Sequence, residues 1–206
     1  MSKRTTICKK PYRLTESPLW LKMKIIKTEA GKMNTEALHK LSYGLYVIIS
    51  KKDGRLNGQI ANAVIQVTSE PPTIAASINR GNLTWEFIKS SRVFAVSVLC
   101  EDTPMTFIGR FGFRSGREAN KLEGIDYRIG TTGAPIVLEN AVAFLEVKVT
   151  KEIDVGTHTI FVGELVDADI ISEKTCLTYE HYHQIKGGKT PKAAATYIAE
   201  TKGEQK

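Results

Sequence analysis

Cysteine is scarce in this chain, with three residues in 206. Cys8, Cys100 and Cys176 lie too far apart in sequence for a metal-binding or redox pair. An odd, sparse set fits reduced thiols better than a disulfide framework. Cys100 ends the apolar run VFAVSVLC and reads as buried filler. No run approaches 18 apolar residues, so no helical membrane span is expected. The first 32 residues lack the continuous apolar stretch of a secretory signal, which points to the cytoplasm. A G-x-S-x-G elbow is missing, which argues against a serine hydrolase of that type. Gly188-Lys189-Thr190 is no phosphate-binding P-loop, because His183 stands where that motif needs glycine. His181 and His183 have no other ligands near them in sequence, so no metal site is expected.

Acidic residues are scarce at one end. Residues 1–32 hold nine Lys or Arg against Glu16 and Glu29, which accounts for the whole net charge of +7. Residues 33–206 are neutral, with 20 basic and 20 acidic side chains. A nucleic-acid domain would carry the excess on its folded body, so no nucleic-acid partner is expected. The basic stretch reads as an extension, either preceding a start at Met33 or packing as an arm on a partner subunit. The remaining chain divides into a body over 33–172 and a C-terminal helix and arm over 173–206.

The body is dominated by short strands rich in Val and Ile: LYVIIS, GQIANAVIQVT, TIAASI, FAVSVL, IVLENAVAFLEVKVTKEID and HTIFVGELVDADII. Lys52-Asp53-Gly54-Arg55 reads as a hairpin turn, with Asp-Gly supplying the positive φ angles. Pro71-Pro72 breaks the next run, since proline cannot donate to a central ladder. Closely spaced strands with few helices suggest a mainly β, closed-barrel fold. Short helices are expected after Asn34 or Thr35, over roughly 83–90 with Asn82 or Thr84 as cap, and from Ser115. There Ser115 and Glu118 satisfy a capping box.

Two polar clusters lie between Asn57 and Ile88. Asn57-Gly58-Gln59-Ile60-Ala61-Asn62 puts amides and small residues on a strand, matching the donor and acceptor edge of a flat heterocycle without adding charge. Asn79-Arg80-Gly81-Asn82-Leu83-Thr84 offers a cation, hydroxyl and amide side chains, and a helix start whose free N–H groups attract a phosphate. Each cluster alone has a plainer reading, as a hairpin arm facing water and as a strand-to-helix turn with Arg80 solvated.

Together the segments resemble the flavin reductase-like family. The resemblance rests on Asn57-Gly58, Ala61-Asn62-Ala63, the polar run from Gln66 through Ser69 to Pro71-Pro72, and Thr84 to Ile88. It continues through Gly109-Arg110-Phe111-Gly112, Ser115-Gly116 and Lys121, then Gly156-Thr157-His158-Thr159-Ile160-Phe161-Val162-Gly163-Glu164. The ending from Tyr182 through Lys189-Thr190-Pro191 to Tyr197 is similar to flavoredoxins and the flavoprotein half of high-molecular-weight rubredoxins. Ala63 and Thr157 depart from the pattern, which favours a hydroxyl and an aspartate there.

The resemblance implies an FMN-binding split β-barrel with Greek-key-like connections, with FAD as an alternative cofactor. It implies a homodimer with flavin near the subunit interface and electron transfer from NAD(P)H to a flavin or redox-protein acceptor such as a rubredoxin. The alternative activity is a flavoredoxin-type electron carrier without NAD(P)H turnover. Asn57, Gly58, Gln59, Ile60, Ala61 and Asn62 would face the isoalloxazine. Ser69, Asn79, Arg80 and Thr84 would complete the flavin site, the last three on the phosphate, and His158 would stand on the nicotinamide side.

Overall fold

The computed structural model describes residues 35–198; the predicted basic extension over 1–32 lies outside them. Residues 35–198 belong to one compact unit. Seven strands make one antiparallel sheet in the order β2-β1-β5-β8-β9-β4-β3. They are β1 (Tyr46–Lys52), β2 (Arg55–Ala61), β3 (Val64–Ser69), β4 (Pro72–Asn79), β5 (Val93–Leu99), β8 (Ala141–Asp154) and β9 (His158–Ile170). A small ribbon pairs β6 (Tyr127–Ile129) with β7 (Pro135–Val137). The two edge strands β2 and β3 are joined only by Asn62 and Ala63, so the sheet curls until its edges share a corner.

The β1–β2 hairpin turns as its sequence dictates. Asp53 and Gly54 have φ of 49° and 73°, the pair of positive angles that a tight two-residue turn requires. The expected run over 58–68 is two strands, because Asn62 and Ala63 leave the ladder to turn the corner. The run over 136–154 likewise divides at Leu138–Asn140, where Asn140 takes a φ of 59°. Pro72 is tolerated as the first residue of β4, where the missing N–H costs least.

Strand β1 is apolar on both sides because it separates two cores. Val47 and Ile49 pack with Phe107, Ile108 and Phe111 of α2 (Met105–Gly112). Ile48 faces the barrel interior with Phe94, Phe161, Ile78 and Ile88, the last from α1 (Leu83–Ser91). Each such fully buried side chain contributes about 1.5–3 kcal/mol relative to exposure. Helix α3 (Tyr179–Gln184) is stitched to the first core by Tyr182 and capped by Thr178, whose Oγ1 accepts the His181 N–H at 3.1 Å.

Two helical expectations need revision, and one helix, α2, is unexpected. Residues 35–40 form a 3-10 helix. The capping box at Ser115 closes one turn and no helix. Ser115 Oγ accepts from Arg117 N, but the chain then bends so that Lys121 and Leu122 can be buried. Helix α2 carries no polar cap or propensity signal, since Pro104 precedes it and two glycines lie within it. Its apolar stripe over Phe107, Ile108 and Phe111 is what holds it. Cys100 is buried as expected, but the cysteines are not all isolated: Cys100 and Cys176 face each other across an antiparallel bridge.

Candidate functional site

The corner where β2, β4 and α1 meet opens into a cleft of about 260 Å³, near the small end for sites that bind small molecules. Its floor is β2. Asn57, Gln59, Ile60, Ala61 and Asn62 line it, all from the cluster expected to face a ring. Gly58 is in the same strand but contributes through its carbonyl, which accepts a hydrogen bond from Lys121 Nζ at 3.0 Å. The close packing of Gly58 against Ile49 explains why no side chain is tolerated there.

At one end Asn79, Gly81, Asn82, Leu83 and Thr84 line the cleft. The Asn82 side chain makes no capping bond, so the first amides of α1 are not consumed by their own cap. Asn79 Oδ1 takes the Gly81 N–H at 2.9 Å and shapes the loop entering the helix. Thr84 is buried and its Oγ1 accepts from Asn57 Nδ2 at 2.7 Å, which locks floor to helix.

Three expected residues lie apart. Ser69 ends β3, exposed and paired with Pro72, and lines no part of the cleft. Arg80 turns outward: its guanidinium contacts Asp154 at 2.7 Å and sits 6.0 Å from the Trp85 ring. His158 stands at the rim, opposite Asn79 in the β4–β9 register. Its Nδ1 meets Thr157 Oγ1 at 2.9 Å and its Nε2 meets the Ala193 carbonyl at 3.3 Å.

The remaining walls come from segments far away in sequence. Phe111 through Arg117 and Lys121 form one side. A Cβ on Gly116 would run into the Asn57 carboxamide, so this glycine permits the loop to touch the floor. Lys121 is buried without a carboxylate partner; its ammonium donates to the carbonyls of Gly58 and Phe111 at 3.0 and 3.1 Å. Burial lowers its pKa to about 8. The other side is Tyr179, Tyr182 and the segment from Lys189 to Ala195. Asn62 Nδ2 donates to Thr196 Oγ1 at 2.7 Å, and Thr196 in turn donates to the Tyr179 hydroxyl at 3.0 Å. The sequence signal for these walls was the motif Ser115-Gly116 with Lys121 and the Tyr182–Tyr197 ending, neither of which carries a chemical role on its face.

One atom in the floor is incomplete. Gln59 Oε1 is buried and has no hydrogen-bond partner, a state that costs about 1–3 kcal/mol unless a ligand donor meets it. A flavin ring edge carries such a donor flanked by acceptors, and its phosphate matches the free helix tip. The residues therefore fit a flavin mononucleotide. Among the described residues no group of His, Cys, Asp or Glu could hold a metal, and no helix is long and apolar enough to cross a membrane.

Comparison with known proteins agrees with this chemistry. The chain is 53% identical over 166 residues to the ferric-chelate reductase (NAD(P)H) of Archaeoglobus fulgidus, covering 81% of this chain and 98% of that one. It is 49% identical over 165 residues to the high molecular weight rubredoxin of Moorella thermoacetica, covering 80% of this chain and 72% of the relative. Among solved structures, the flavin reductase HpaC complexed with NADP+ superposes with a TM-score of 0.61 at 26% identity, over 70% of this chain and 89% of that one. The flavin reductase like domain matches residues 38–186. With its mainly β split barrel and amide-lined cleft, the chain belongs to the flavin reductase-like family of oxidoreductases.

Proposed function

We propose that the cleft binds FMN and that the protein moves electrons from NAD(P)H to a flavin, ferric chelate or redox-protein acceptor. The observation that carries this reading is the floor: a strand of neutral amides with one unsatisfied buried carbonyl, Gln59 Oε1, ending beside an uncapped helix start. Bound flavin would supply the hydride and electron chemistry. Gln59 would accept the ring N–H, while Asn57 and Asn62 would hold its edge. Asn79, Thr84 and the first amides of α1 would hold the phosphate, with Arg80 reaching it after leaving the exposed Asp154.

The side chains have binding and orienting tasks. Lys121 keeps a positive charge at the floor, which favours electron density on whatever ring lies above it. Tyr179 and Tyr182 wall off water on one side. His158 stands where a nicotinamide would approach, and the Ala193 carbonyl holds its ring. An NAD(P)H-linked reaction supports a cytoplasmic location. Exposed Ile65, Val67 and Ile153 beside the β4–β9 rim support a homodimer with the flavin close to the subunit interface.

Anaerobic stopped-flow mixing tests the reading. Bleaching of bound flavin by NADH or NADPH within a turnover time is expected. The likeness to a high molecular weight rubredoxin favours one second reading, an electron carrier; slow bleaching by both nucleotides with fast reduction by a protein donor would select it.

A further inference from the structure

Cys100 and Cys176, both free thiols, occupy directly opposed positions in an isolated antiparallel bridge. The flanking main-chain bonds define the kind of pair. Glu101 N–H donates to the Thr175 carbonyl at 2.9 Å and Leu177 N–H to the Leu99 carbonyl at 2.7 Å. These bonds bracket the two cysteines, which is the non-hydrogen-bonded arrangement. There the Cα atoms lie ~4.5 Å apart and both side chains leave the ladder on the same face. A disulfide spans Cα separations from about 4.4 Å upward, so the backbone is already within bridging range.

The neighbours fix the shared face. Leu99 and Leu177 are fully buried in the first core, so alternation sends both thiols to the opposite side. Tyr46 reports the same placement. Burial raises its hydroxyl above the ordinary pKa against a bond with Gly44, and Cys176 lies near enough to add to that rise. Cys176 is exposed and Cys100 buried. One thiol meets solvent and the other waits beneath it.

We infer that Cys100 and Cys176 form a dithiol site oxidised reversibly to a cross-strand disulfide by low-molecular-weight disulfides. The exposed Cys176, as thiolate, attacks one sulfur of the small disulfide; that S–S bond breaks and one small thiol leaves. Cys100, as thiolate, then attacks the Cys176 sulfur of the mixed disulfide and expels the second small thiol. The two cysteine protons end on the two small thiols, and two electrons pass from the protein to the oxidant. Thr178 caps α3 just after Cys176, and Tyr179 and Tyr182 of that helix wall the cleft. The bond therefore staples the root of the cleft's C-terminal wall to the end of β5. None of this depends on what the cleft binds.

The test uses the full chain carrying Cys8→Ser, so that only this pair remains. Excess oxidised glutathione is added, free thiols are alkylated, and peptides are mapped by mass. Loss of both thiols into one Cys100–Cys176 cross-linked peptide is expected, reversible by dithiothreitol, with Tm raised by about 5 °C or more. Adding Cys100→Ser to the same chain should instead accumulate a glutathione adduct on Cys176. A glutathione adduct on Cys176 with Cys100 still alkylatable in the intact pair, or two thiols that never oxidise, overturns the inference.

Discussion

Asn57 Nδ2 donates to Thr84 Oγ1 at 2.7 Å, joining the floor of the cleft to the first turn of α1. Both side chains are buried, so neither can turn to water if the other is removed. Asn57→Ala is expected to cost about 1–3 kcal/mol of stability and to weaken FMN binding at least tenfold. Thermal denaturation and fluorescence titration with FMN measure the two effects. Thr84→Ser, which keeps the acceptor, should retain most of both.

Gly116 is predicted to be intolerant for steric reasons alone. An added methyl collides with the Asn57 carboxamide, which burial and its bond to Thr84 hold in place. Gly116→Ala should therefore reduce FMN affinity about tenfold or more while far-ultraviolet circular dichroism stays unchanged. Gly109, with open space around it, is the matched control: Gly109→Ala should bind FMN as the wild type does.

Arg80 offers a test of the phosphate end. Its ion pair with Asp154 is exposed on both sides, so breaking it should change Tm little. Arg80→Ala should lower the preference for FMN over riboflavin about tenfold, since only FMN carries the phosphate. An unchanged ratio would remove Arg80 from the site.

Lys121 titrates in an accessible range. Its folded pKa of about 8 lies below the unfolded value of about 10.4, so the unfolded chain binds the extra proton between them. The cost of burying its charge is fully present below pH 8 and is relieved as pH rises toward 10.4. Across that interval the Tm of wild type should improve relative to Lys121→Met. Flavin reduction by NAD(P)H should slow above pH 8 in the wild type alone, as the charge at the floor is lost.

Glu146 carries a dependence of the same sign in the acidic range. Its buried carboxylate is pushed up by burial, yet hydrogen bonds from the Thr132 and Thr131 hydroxyls and amides outweigh that and hold its pKa below the ordinary value. The stabilisation is present above the unfolded value near 4.3 and is lost as pH falls through the lower folded value. Glu146→Gln should cost about 2–3 kcal/mol at pH 7, and the gap should close in acid. Urea denaturation at a series of pH values checks it.

Local chemistry made the floor and the helix tip readable. Asp53-Gly54 forced the hairpin, Asn57 to Ala61 fell on one strand with Asn62 just past its end, and Asn82 preceded α1 as its spacing suggested. What stayed hidden depends on contacts between distant segments. Nothing near Arg80 in sequence shows that the β8–β9 hairpin will bring Asp154 beside it. Ser115 reads as a helix cap until burial of Lys121 bends the chain away. Lys121 itself looks like any surface lysine, because nothing local announces that two carbonyls will hold it in the core. Cys100 and Cys176 look unrelated until the chain after β9 returns to the end of β5.

Titration of FMN into the purified, folded protein, followed by flavin absorption and fluorescence, tests the central assignment most directly. The amide-lined floor should take up one FMN per chain at micromolar concentration, with a shifted spectrum that Gln59→Leu weakens. Folded protein that leaves the FMN spectrum and fluorescence unchanged at those concentrations would contradict it.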